Sequence, residues 1–470
     1  MLHKKTIFII SGSVIFLILI IVMFVSIFSK KNYIPYLLSL PLESSSSFSD
    51  MSSLLKNNLK TTITISDKKQ EIDLFLIPSD YTFFITQQDI FFKKNDNSQI
   101  NKFSKNFYDY EYSSSVKVLT ERETIGFTRY KFGRKAQENF ILCDKDLCKD
   151  NSMKLSDFKF MLVEDPYDKI SGGIGLSFTN LFENSEMNFF NELYRKEYIN
   201  NKIWYINYDK DNDERRLIIG KMPYEVDDRF DKADYTFFKV KDDGWKMEML
   251  NIIIGDDENN QDNYIKEKKF IFNQDSSLIE APYEYYQKIK QKFFNKYFNS
   301  RQCSESIFEL QLTEYLYLSC ESDISLSDFP LLTIIINNDY KLELTKDDLF
   351  SKNGQKIYFL ITTNKEERYS QSWYIGEPFL KKYIPVYDQG QTKIGFYKVI
   401  YKYKNRYAIF GIIGFIFLLI CTALLIYLIL YLFKKHRNKK IRTAALEMRM
   451  EEISSKLVAK QSENNNINKI

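Results

Sequence analysis

Histidine is the scarcest reactive residue in this 470-residue chain. His3 and His436 are the only two, and both lie outside the long middle segment. Without an imidazole, that segment can build neither a Ser-His-Asp or Cys-His nucleophile pair nor a His-bearing zinc site. Carboxylates, Lys, Tyr and Ser remain. The middle segment's four cysteines fall in two near-neighbour pairs, Cys143 with Cys148 and Cys303 with Cys320, while Cys421 sits apart in an apolar stretch. Such pairs read as two disulfides closing short loops on an oxidising side of a membrane. Against the alternative of a four-cysteine metal site stand the distance between the pairs and the lack of C-x-x-C spacing. The acidic run "DKDNDE" (209–214) alternates Asp as a calcium loop does. It has neither the central Gly nor the terminal acid of such a loop, and reads as a solvated hairpin turn. No cofactor or metal is expected.

Two stretches are long and uncharged, 6–29 after Lys4-Lys5 and 408–433. Each exceeds the roughly 20 residues needed to cross a hydrocarbon core. The first is longer than a signal-peptide core and no small-residue cleavage site follows, so it reads as an uncleaved anchor. Lys402, Lys404 and Arg406 precede the second; Lys434, Lys435, Arg437, Lys439, Lys440 and Arg442 follow it. The heavier basic flank faces the cytosol, which makes the middle segment lumenal or extracellular and both termini cytosolic. The expected home is a secretory-pathway or cell-surface membrane. No Asn-x-Ser/Thr sequon occurs.

The net charge of +4 is nearly balanced and gives no argument for a nucleic-acid partner. Aromatic content is 16% and there are 15 glycines, about half of average usage near 7%. That is the pattern of drift toward AT-rich codons, which can erase glycine motifs. Residues 30–54 form a Ser-rich linker. Beyond it run short alternating or apolar stretches: "TTITI" (61–65), "DLFLI" (73–77), "TFFIT" (82–86), "VKVL" (116–119), "LTIIIN" (332–337) and "KIYFLITT" (356–363). Their β-branched and aromatic enrichment predicts a mostly-β fold. Helices are predicted only at 188–199 and 282–298. In the tail, Leu446, Met450, Ile453 and Leu457 follow 4-3-4 spacing on one helix face, a candidate surface for a tail partner.

The segment "IGEPFLKKYIPVYDQGQTKIGF" (375–396) resembles the closing hairpin of pepsin-like aspartic peptidases. The resemblance extends over about 61–399. "GGIGLSFTNLFENSEMNFFNEL" (172–193) resembles the family's D-G-I-L-G-L segment and its helix, and "NKIWYINYDKDNDERRLIIGKMP" (201–223) a following hairpin. "GWKMEMLNIIIGD" (244–256) resembles the strand opening a second lobe. It implies a two-lobed pepsin-like body, with lobes at 55–230 and 231–400, flanked by transmembrane helices at 6–29 and 408–433. The ends are a cytosolic stub at 1–5 and a basic cytosolic tail at 434–470. Cys303 and Cys320 fit the family's second-lobe disulfide.

The family's chemistry needs an aspartate from each of two Asp-Thr-Gly loops, close enough to share one proton. Here the loops read "IPSDY" (77–81) and "NQDSS" (273–277), so the catalytic positions fall on Ile77 and Asn273, and neither loop keeps its Gly. Asp80 and Asp275 lie two or three residues off, an offset of about 7–10 Å along a strand. They read instead as turn residues capping local backbone N–H groups. "VLTERETIGF" (118–127) resembles the flap hairpin, with Leu119 at the flap Tyr position, and Glu377 replaces the family's Asp after Gly376. Three functions follow from the resemblance. One is an inactive pseudopeptidase that binds a peptide or protein in the interlobe cleft. The second is an active endopeptidase with an unusual dyad. The third is a structural body whose cleft is filled by its own side chains.

Overall fold

A computed structural model describes residues 37–44, 51–55, 58–65, 70–87, 108–109, 113–124, 132–142, 153–164, 170–178, 186–208, 214–227, 230–240, 244–255, 268–310, 312–337, 339–366, 370–397 and 406–467. The chain divides into two units, at Ile400 and Tyr401. The first is mostly β. Its strands follow the hydrophobic alternation: Lys60–Ile65 buries every second side chain, so that Thr61, Ile63 and Ile65 face the interior. Paired with Gln70–Ile77, this strand opens an eight-stranded sheet that runs on through Gly172–Gly175, Phe83–Thr86, Met153–Val163 and Phe132–Leu142. A nine-stranded sheet and a three-stranded sheet carry the second half of the unit.

Between them lies a six-stranded sheet that takes strands from both halves. Its order is Leu38–Leu42, Arg215–Ile219, Ile203–Tyr208, Val386–Asp388, Lys393–Tyr397 and Tyr235–Lys239. This corrects the linker expected at 30–54. Leu38, Leu40 and Leu42 are buried on one face and pair with Ile219, Leu217 and Arg215, so the fold begins inside the Ser-flanked stretch. Met51–Leu55 is a short helix with Met51, Leu54 and Leu55 buried. Serine content marks composition, and the alternating leucines decide the structure. The aromatic surplus is core: Phe83 meets Phe140, Phe158 and Phe189 edge to face and Phe160 tilted, with centroids 5.1–6.3 Å apart.

"KIYFLITT" is two strands, not one. Both halves pair with Thr313–Glu321, but the other neighbour changes at Leu360, from Phe350–Asn353 beside Lys356–Phe359 to Ile279–Glu280 beside Ile361–Asn364. The helix predicted at 282–298 occupies Tyr283–Asn299 with a π turn at Lys290–Phe294. Tyr208 and Arg215 pair across the hairpin expected there, while 209–213 lie outside the described residues. The second unit is a single helix, Arg406–Ile467, across the boundary expected at 433. Among the described residues no helix is long and apolar enough to cross a membrane, and the stretch 6–29 lies outside those residues.

Candidate functional site

The two degenerate loops hang on the same scaffold. In the first, Gln70–Ile77 runs parallel to Gly172–Gly175, with Ile77 opposite Gly175, and that strand lies antiparallel to Phe83–Thr86. In the second, Lys268–Phe272 runs parallel to Ser372–Ile375, which pairs antiparallel with Ile279–Glu280. Each loop therefore joins two strands that are separated by a third from much later in the chain. A glycine closes each crossing. A Cβ on Gly175 would stand 2.5 Å from the Thr82 nitrogen, and one on Gly376 would stand 2.1 Å from the Leu278 carbonyl oxygen.

The loops also match bond for bond. The Asp80 N–H donates to the Ile77 carbonyl and the Ser276 N–H to the Asn273 carbonyl, both at 3.3 Å. Asp80 Oδ1 accepts from the Thr82 N–H at 2.9 Å; Ser276 Oγ accepts from the Leu278 N–H at 3.0 Å. Ile77 and Asn273 are thus equivalent positions, as are Asp80 and Ser276, and Ser79 and Asp275. Asp80 and Asp275 are not equivalents of each other. Asp80 caps its own turn as its sequence context suggests. Asp275 reaches further: its Oδ1 accepts from the Leu59 N–H at 3.0 Å, far away in the chain. Beside it the Ser277 N–H donates to the Leu54 carbonyl, and Leu278 packs with Met51, Leu54 and Leu55.

The surroundings of the two equivalent positions differ. Ile77 is 2% exposed and packs in a small apolar cluster with Phe84, Met161, Val163 and Met187. Asn273 is half-buried, and its Oδ1 accepts from the Asp275 N–H. Next to it Gln274 is buried with its amide beside the Tyr387 hydroxyl. Tyr387 stacks on Trp204 at 4.0 Å and meets Trp245 at 5.0 Å, and the Trp245 indole N–H donates to the Leu176 carbonyl just after Gly175. This aromatic group connects the two loops through side chains of both lobes.

Glu377, directly after Gly376, ties the second loop to the six-stranded sheet. Its carboxylate accepts from Ser277 Oγ at 2.5 Å and pairs with Arg215 and Lys381, each at 2.7 Å. Burial opposes its ionisation, but Lys381 and Arg215 outweigh that and hold its pKa below the ordinary value. Sequence reasoning marked Glu377 only as a departure and missed Arg215, which no local pattern singles out.

The flap placement needs correction. Lys117 and Val118 stand opposite Gln137 and Ala136, and Glu123 and Thr124 opposite Gly133 and Phe132. The hairpin therefore closes between Thr124 and Phe132. Leu119, 44% exposed with its N–H on the Lys135 carbonyl, stands on the flank rather than at the tip. Residues 125–131 lie outside the described residues, as do Cys143 and Cys148. Cys303 and Cys320 are directly opposite on paired strands and disulfide-bonded. Among the described residues no three His, Cys, Asp or Glu side chains gather as a metal site.

The model of the eukaryotic aspartyl protease family matches residues 62–399, well over half of the chain and the whole of both loops. No curated protein matches the chain.

Proposed function

Because the chain belongs to the eukaryotic aspartyl protease family, we propose that it is a catalytically silent member, a pseudopeptidase whose two-lobed body binds a peptide or protein or serves as a structural module. The observation that carries this reading is the equivalence of Ile77 and Asn273. Neither side chain can exchange a proton, so the shared-proton pair that activates water cannot form. Asp80 and Asp275 hold backbone N–H groups and occupy non-equivalent positions, which speaks against a relocated pair. Digestion of a denatured protein at acid pH by residues 30–400 tests it. We expect background cleavage, unchanged in the Asp80→Ala, Asp275→Ala double variant. Cleavage that disappears in that variant would mean an active endopeptidase with an unusual dyad. The purely structural reading has one observation in its favour, the burial of Ile77 among Phe84, Met161 and Met187.

The body is further read as membrane-anchored, lumenal or extracellular, with cytosolic tails. In the helix Arg406–Ile467, large apolar side chains from Ile420 to Phe433 are exposed in every direction, with no polar face to meet water. The basic cluster at 434–442 follows on the side expected to face the cytosol. The Cys303–Cys320 disulfide agrees with an oxidising compartment. Protease added outside sealed, correctly oriented vesicles should clip only the tails; digestion of the body would sink this topology.

A further inference from the structure

We propose that the tail helix is a parallel dimerisation element and that its partner is a second copy of this chain. Leu446, Met450, Ile453 and Leu457 are 57–70% exposed on one continuous helix, at the 4-3-4 spacing of a coiled-coil seam. Ile441 and Met448 are exposed on the opposite face, but Ser455 follows them a heptad later and ends that line.

The flanking charges select the occupant. With Leu446 and Ile453 at d and Met450 and Leu457 at a, the g positions are Arg442, Arg449 and Lys456, and the e positions are Glu447, Ser454 and Gln461. Two parallel copies in register bring each g side chain to the e position five residues on in the other copy. The contacts are then Arg442 with Glu447 and Arg449 with Ser454: one attraction and no repulsion. An antiparallel pair would set the three basic g residues against one another. The only partner that necessarily matches this stripe in length and register is the same stripe.

Two heptads hold poorly in free solution. A shared membrane removes that difficulty by holding copies side by side with their helices pointing the same way, at a raised effective concentration. In this respect the inference rests on the membrane-anchored reading above. Inside each helix Lys456 pairs with Glu452 at 2.7 Å.

The test uses the full chain carrying Cys421→Ser, reconstituted in vesicles, with one further substitution in the tail: Met450→Cys, Ile453→Cys, Met448→Cys or Ser455→Cys. Oxidation should give disulfide-linked dimer at 450 and 453 and only background at 448 and 455. Arg442→Glu should lower the yield at 450, and adding Glu447→Arg should restore it, a rescue that a general effect on folding would not produce. Vesicle flotation of the same samples reports anchoring separately. Flotation without seam cross-links overturns the dimer, as do equal yields on the two faces. Seam cross-links without flotation support the dimer and sink the membrane reading, and loss of both overturns both.

Discussion

Ile77 and Asn273 occupy one position in two copies of a loop, but a carboxylate placed at each would meet different surroundings. At 77 it would enter an apolar cluster of Phe84, Met161, Val163 and Met187. Ile77→Asp should lower stability by roughly 3–5 kcal/mol at neutral pH, the usual penalty for an uncompensated buried charge. Burial raises the pKa of such an acid, so the penalty applies above the raised value and fades as pH falls through it. Asn273→Asp, half-buried and beside an N–H it can bond, should lower stability by no more than about 1 kcal/mol. Urea titrations of both variants at pH 7 and pH 4 check the contrast, and equal losses would mean that Ile77 is not packed as described. Restoring both aspartates should give no peptidase, because Ser79 and Asp275 stand where the family has the glycines that aim the pair. The loop positions were legible in the sequence because the apolar runs flanking each loop are local. The burial of Ile77 was not, since Met161 and Met187 reach it from distant strands and loops. Nor was the reach of Asp275 to Leu59, a contact 216 positions apart.

At the scale of elements, alternation was a sound guide where a strand buries one face, as in Lys60–Ile65. It failed where the deciding fact was a partner. "KIYFLITT" divides where its second neighbour changes from Phe350–Asn353 to Ile279–Glu280, both halves lying on Thr313–Glu321, and Leu38–Leu42 hid in a serine-rich stretch whose composition masked a five-residue alternation. The flap was misplaced because the pairing that decides it is with Phe132–Leu142, which lies beyond 118–127. The hairpin Cys303–Leu310 with Thr313–Glu321 is a simpler case. Its disulfide joins residues 17 positions apart at the open end of the hairpin. A loop of that size should contribute about 3 kcal/mol by chain entropy. Cys303→Ser with Cys320→Ser should therefore lower the unfolding free energy from urea titration by that amount, whereas reduction without any loss of stability would show the strands held by packing alone.

At the scale of the whole molecule, the lobes are not two bodies joined by a linker. They share the six-stranded sheet and the Trp204–Tyr387–Trp245 group, so the body should unfold in one transition. Glu377 is the charged tie in that junction. It reaches Ser277 on the second loop, Arg215 on the sheet and Lys381 on its own helix, and it is 7% exposed. Removing one member of a buried ion group strands the others, so Glu377→Gln should lower stability by roughly 3 kcal/mol at pH 7. The pH dependence follows from the direction of its shift. A carboxylate held below its ordinary value of 4.5 stabilises the fold fully above the unfolded pKa. That contribution is lost as pH falls through the lower, folded value. The wild-type body should therefore lose stability below about pH 4.5 more steeply than the Gln variant, and the two curves should converge in acid. Gln keeps the volume and can still accept from Ser277 Oγ, so the comparison isolates the charge. Urea midpoints from pH 7 down to pH 3 decide the matter: a constant gap between wild type and variant across that range would show that Glu377 acts through packing, and the ionic tie between the second loop and the shared sheet would have to be abandoned.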